Sequence, residues 1–118
     1  MPTQMPKRPS KVKVLTITYN IHWLSEDEWY AARLDTGSVG ITERDSGTIA
    51  LRADKTASEE ALKATLLHEV LHTCTQAMRV ECNLDHVQDG EEFFVSIVAP
   101  LLLAVLRENP PLTKYLLG

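Results

Sequence analysis

Cysteine is scarce in this chain. Cys74 and Cys82 are the only two, too few for a disulfide framework. A reduced, cytosolic protein is therefore the default expectation. Apolar runs are short. The longest spans residues 93–106 and is interrupted by Ser96 and Pro100, so it reads as a buried helix rather than a membrane span. The N-terminus lacks the apolar core of a secretory leader. Positive charge is also sparse: 12 Lys and Arg stand against 16 Asp and Glu, for a net charge of −4. The one basic cluster, Lys7, Arg8, Lys11 and Lys13, lies in a proline-rich start. No basic stripe marks a nucleic-acid footprint, so neither nucleic acid nor membrane is expected as a partner.

What remains suits one small globular domain. The chain has 118 residues, 44% of them hydrophobic, enough for a small core. Residues 1–10, with Pro2, Pro6 and Pro9, read as a flexible arm. Residues 11–118 read as a single domain. Residues 11–19 (KVKVLTITY) are β-branched and alternating, which predicts a strand. Residues 25–34 open with Ser25 and Glu28 at capping-box spacing, which predicts a short helix. Residues 39–44 and 48–52 predict a hairpin around Asp45-Ser46-Gly47, with Ile41, Ile49 and Leu51 facing the core. The expectation is an α+β fold: a small three-stranded sheet with a hairpin, packed against two long helices.

The first long helix is predicted to about Met78, with Thr56 and Ser58 as rival N-caps. Leu67, Leu71, Cys74 and Met78 would form its apolar stripe. The second covers residues 91–108, carries Pro100 as a kink and stops at Asn109-Pro110-Pro111. Val95, Val98 and Leu102 would face inward from it. A last short helix follows over 111–117.

The chemistry concentrates in His68-Glu69-Val70-Leu71-His72. On a helix, residues four apart lie one above the other. His68 and His72 can thus offer two imidazoles to one ion. Glu69 sits about 100° around the axis from His68, where it can hold a metal-bound water and take its proton. A catalytic zinc takes three protein ligands. Position 78 is Met rather than His, which excludes the metzincin spacing. Carboxylates follow instead: Glu91 and Glu92 lie 19 and 20 residues past His72, at the start of the next helix. Glu92, three residues before Val95, is the preferred third ligand and Glu91 the alternative. His86, on the intervening polar stretch, is a candidate for contact with substrate or transition state.

These residues carry a resemblance. LLHEVLHTC, followed about 20 residues later by EEFFVSIVAPLLLAVLRENPPL, resembles the small HExxH proteins of bacteriophages and mobile elements. Those are similar to the minimal gluzincin zinc metallopeptidases of the ImmA/IrrE type. The resemblance covers roughly residues 39–117. It implies His68, His72 and Glu92 as zinc ligands and Glu69 as general base. It further implies a protein or peptide substrate received along a hairpin strand, and the cytosol of a bacterial host if the protein is phage-encoded. Glu91-Glu92-Phe93-Phe94 does not clearly reproduce the ExEA-type stretch of the better-known members, so the choice of Glu stays open. A zinc-binding interaction module without turnover is the alternative function.

Overall fold

The computed structural model describes residues 7–32, 38–54, 57–81 and 90–118, and the side chains of these except residues 80–81 and 90–94. The elements run β1 (Lys11–Val14), β2 (Ile17–Leu24), α1 (Glu26–Ala31), β3 (Gly40–Glu43), β4 (Thr48–Arg52), α2 (Glu59–Glu81), α3 (Gly90–Glu108) and α4 (Pro110–Leu117). The α+β class holds, but the sheet has four strands, in the order β1-β2-β4-β3.

The extra strand comes from a turn inside the stretch expected to be continuous. Val14 pairs with Ile17, so Leu15 and Thr16 form a two-residue hairpin loop. Leu15 holds φ at 55°. Such loops need positive φ and favour Gly or Asn there, so nothing in the residue types announces this one. Beyond it β2 continues through Leu24, pairing parallel with β4 from Asn20↔Thr48 to Leu24↔Arg52. Residues 21–24, beyond the predicted strand of residues 11–19, are therefore part of its central ladder.

The hairpin of β3 and β4 forms around the expected turn, with Gly47 at φ 63°. Its facing differs from expectation. Thr42 pairs with Ile49, Gly40 with Leu51, and Ile41 with Ala50. Directly paired residues share a face. Ile49 and Leu51, both fully buried, thus share the helix side with Gly40 and Thr42, while Ile41 points to the other face.

One side of the sheet carries the core. Val12, Val14, Tyr19, Ile21, Ile49 and Leu51 meet Leu66, Val70, Cys74 and Ala77 of α2, Val105 of α3, and Leu112 and Tyr115 of α4. Each fully buried large aliphatic side chain contributes about 1.5–3 kcal/mol of transfer free energy. The buried line of α2 is Leu62-Leu66-Val70-Cys74, with Ala77 and Met78 beyond it. Leu67, expected in that line, is 36% exposed, because one residue is about 100° of helix. Ser58 is the N-cap, its Oγ accepting from Ala61 N at 3.1 Å; Thr56 lies outside the described residues.

In α3, Val98 and Val105 are buried and Leu101 and Leu102 partly so. Val95 is 48% exposed, contrary to the expected inward stripe. The helix is unbroken across Pro100, whose ring lies on the exposed side. Leu102 and Leu106 line a groove with Ala64 and Leu67 of α2 and Leu116 of α4. The C-terminal half of α3 thus returns along the N-terminal half of α2. Among the described residues, no single helix is long and apolar enough to cross a membrane. Residues 95–108 and α4 pass that test only as a pair, and they bend by 102° between them.

Two polar clasps close the edges of this core. Asn109, between α3 and α4, is 8% exposed. Its side-chain amide accepts from Lys13 N at 2.8 Å and donates to Lys13 O at 2.9 Å and Val105 O at 2.7 Å. It thereby stands in for a strand on the outer edge of β1. The second clasp is built from the residues before β1. Trp23 Nε1 donates to Pro9 O at 2.8 Å, Arg8 lies over the Trp23 ring, and Arg8 is ion-paired to Glu59. Glu59 also accepts from Tyr115 Oη at 2.7 Å. The hydrogen bond from Arg8 holds the Glu59 carboxyl below its ordinary pKa. Burial, reinforced by the bond to Glu59, pushes the Tyr115 phenol up.

Two outcomes are expected. Asn109→Ala strips β1 of its edge partner and leaves the part-buried Lys13 N–H unpaired, lowering unfolding stability by about 1–3 kcal/mol in urea titrations with an unchanged m-value. Leu15→Gly relieves a positive-φ position and raises stability by about 1 kcal/mol in the same assay.

Candidate metal centre

Helix α2 sorts the motif by angle. Its core face turns Val70 and Leu66 into the sheet. Glu69, next to that face, is only 5% exposed. His68 and His72, further around, are exposed. The two imidazoles stack edge to face, with centroids 4.7 Å apart and planes at 73°. Their Nε2 atoms stand 3.1 Å apart.

That separation allows two arrangements. One ring can donate N–H to the other, or both lone pairs can converge on a cation. Two nitrogens bound tetrahedrally at about 2.0–2.1 Å from zinc lie about 3.3 Å apart. The separation of the pair is thus close to that of two imidazoles on one zinc. His68, Glu69 and His72 each place a ligand atom within 4.8 Å of the others, the one such group of three among the described residues.

The carboxylate of Glu69 is held from the sheet. Thr42 Oγ1 donates to Glu69 Oε1 at 2.8 Å, with a weaker approach to Glu69 O at 3.4 Å. A buried carboxylate needs such partners. The helix and strand approach closely enough that a Cβ on Gly40 would stand 2.9 Å from Thr65 Cγ2 and 3.0 Å from Glu69 Oε2. A side chain at position 40 would push the Thr65 and Glu69 side chains from their present places.

Between β3 and the His pair runs an open cleft of about 400 Å³. It is lined by Gly40, Ile41 and Thr42 on one side and by His68, Glu69, His72 and Gln76 on the other. Gln76 Oε1 is buried without a hydrogen-bond partner among the described residues. A cavity of about 420 Å³ near Lys7, Pro110 and Lys114 shares no lining residue with this cleft.

His68, Glu69 and His72 thus come together as the motif requires. The side chains of Glu91 and Glu92, the alternative third ligands, lie outside the described residues. Their backbones form the first turn of α3. His86 and Cys82 also lie outside them. Cys74 is fully buried on the core side of α2, and burial raises its thiol pKa. His22 is exposed on β2, away from the cleft.

Sequence reasoning missed Thr42, Gly40 and Gln76. Gln76 was accessible in principle, being one turn beyond His72 on the same flank. Thr42 and Gly40 follow only from the hairpin register. Comparison with protein-family models, with curated proteins and with solved structures found no match.

The metal reading has a direct consequence. Zinc titration is expected to reach one equivalent per chain, and His72→Ala is expected to weaken binding more than about 100-fold, since even removing a residue behind a ligand costs 10–100-fold. Competition with a chromophoric chelator measures both. Glu91→Gln and Glu92→Gln, titrated separately, identify the third ligand by which one loses affinity.

Proposed function

We propose that the chain is a zinc-dependent metallopeptidase of the HExxH gluzincin type. The observation that carries this reading is the convergence of two exposed imidazole nitrogens, 3.1 Å apart, beside a buried carboxylate clasped by Thr42. His68 and His72 would hold the ion, with Glu92 or Glu91 as third ligand. Zinc when bound would polarise the scissile carbonyl and acidify a water. Glu69 would take that water's proton and return it to the departing amine. One residue after a ligand, its carboxylate would serve the water rather than join the ligand set.

The substrate would be an extended peptide. β3 is one of the two outer strands of the sheet. Arg52 N donates to Val39 O at 3.0 Å, so residues 39, 41 and 43 bond to β4. By antiparallel alternation, Gly40 and Thr42 turn their N–H and C=O groups outward. An extended chain can add to that edge and pass along the cleft. We also propose the cytosol of a bacterial host as the site of action and a phage or mobile element as the origin, both from the sequence resemblance.

Glu69→Gln separates this reading from a zinc-binding module without turnover. The variant is expected to keep one zinc per chain and to lose cleavage of labelled casein by about 10²–10⁴-fold, the range of a general base. Equal cleavage by both zinc-loaded forms, or none by the wild type, would sink the peptidase reading and leave the module.

A further inference from the structure

We infer that the edge strand β3 sets the aim of the general base: Thr42 holds one carboxylate oxygen of Glu69, and the absent side chain at Gly40 leaves the other oxygen in the cleft. The inference rests on the peptidase reading above. It concerns two residues outside the HExxH motif.

Glu69 has three side-chain torsions, and a base that wanders over them meets the metal-bound water only part of the time. In the folded chain its freedom is removed from two directions. Thr42 Oγ1 donates to Oε1 at 2.8 Å, which ties that oxygen to the strand. Oε2 then lies over Gly40, 3.0 Å from where a Cβ would stand, in the space bordered by Val39, Thr65 and His68. One oxygen is thus engaged, and the other has no hydrogen-bond donor among the described residues. Burial at 5% exposure makes the hydroxyl more than incidental, since a buried carboxylate without a donor is costly.

The same two residues face the helix because of the register. Thr42 and Gly40 pair with Ile49 and Leu51, so a single hairpin face supplies both the core beneath α2 and the contacts to Glu69. Thr42 is then a positioning residue through its side chain: the hydroxyl touches the base, while its backbone belongs to the edge offered to the peptide and is left in place by a side-chain substitution. In a cleft where near-attack geometry governs the rate, loss of such a contact lowers turnover more than binding.

The test uses the full chain loaded with zinc and fluorescein-labelled casein as substrate. Thr42→Val keeps the shape of the side chain and removes the donor. It is expected to lower kcat at least about tenfold with KM within about twofold, while zinc stoichiometry is unchanged. Thr42→Ser, which restores the hydroxyl, is expected to recover most of that loss. Gly40→Ala is expected to lower kcat similarly by displacing Glu69. A readout independent of turnover comes from the metal-free protein: the fall in melting temperature caused by Thr42→Val should largely vanish in a Glu69→Leu background, because the two groups then no longer leave each other unpaired. Wild-type activity retained in Thr42→Val, or Thr42→Ser no better than Thr42→Val, overturns the inference and leaves the peptidase reading standing. A zinc-loaded wild type that does not cleave overturns both.

Discussion

The contact between α2 and β3 is the constraint from which the rest of the site follows. A helix resting on a sheet usually stands off by the thickness of its side chains. Here the strand offers no Cβ at Gly40 and a short hydroxyl at Thr42, and the helix answers with a carboxylate. Burying a carboxylate on the inner flank of a helix is unfavourable unless donors meet it. The hydroxyl from the strand reduces that cost. It also fixes the rotation of α2 about its own axis. With Glu69 against β3, Val70 and Leu66 must enter the core, and His68 and His72 must face water. Exposed imidazoles and a buried carboxylate are consequences of one angular setting.

That setting depends in turn on the order of the strands. β2 and β4 pair in parallel at the centre of the sheet, and the connection through α1 carries the chain across to begin β3. The hairpin then sends β3 to the outside, where its outer edge has no strand partner among the described residues. The opposite edge, β1, is closed by the Asn109 amide. One edge is therefore sealed by a side chain and the other borders the cleft. This asymmetry also keeps the sheet from offering two long unpaired edges, a common route to aggregation.

The elements with local signals were legible in the sequence. The capping box at Ser25 and Glu28 forms as expected, the hairpin turn falls at Gly47, and His68, Glu69 and His72 converge. What escaped was information carried by tertiary pairing. Alternation in residues 11–19 hides a change of phase: Val12 and Val14 face the core at even positions, then Ile17, Tyr19 and Ile21 at odd ones. That slip of one was the available sign of a turn, but Leu15 and Thr16 have no turn chemistry to confirm it. Ile41 looked like a core residue by hydropathy, yet the register gave its face to Thr42. On α2 the leucine-rich line through Leu67 competed with the line through Leu66. Hydrophobicity alone does not choose between stripes 100° apart when neither contains a charge.

The polarity of the motif is what would let so small a fold combine the two demands of the proposed site. Metal ligands must be reachable by an ion and a substrate, while a general base gains from being held in one place and shielded from bulk water. On separate elements these needs would require two supporting shells. On one helix, adjacent residues meet them with a single shell, because the step from His68 to Glu69 is the step from solvent to sheet. The core under Val70 and Leu66 fixes the helix, the helix fixes the spacing of the imidazoles, and the strand fixes the carboxylate. The sheet then contributes an edge strand and a hydroxyl from the same four residues of β3. Precision at the centre therefore rests on the packing of Ile49 and Leu51 beneath α2, which lies on the buried side of the strand that β3 pairs with.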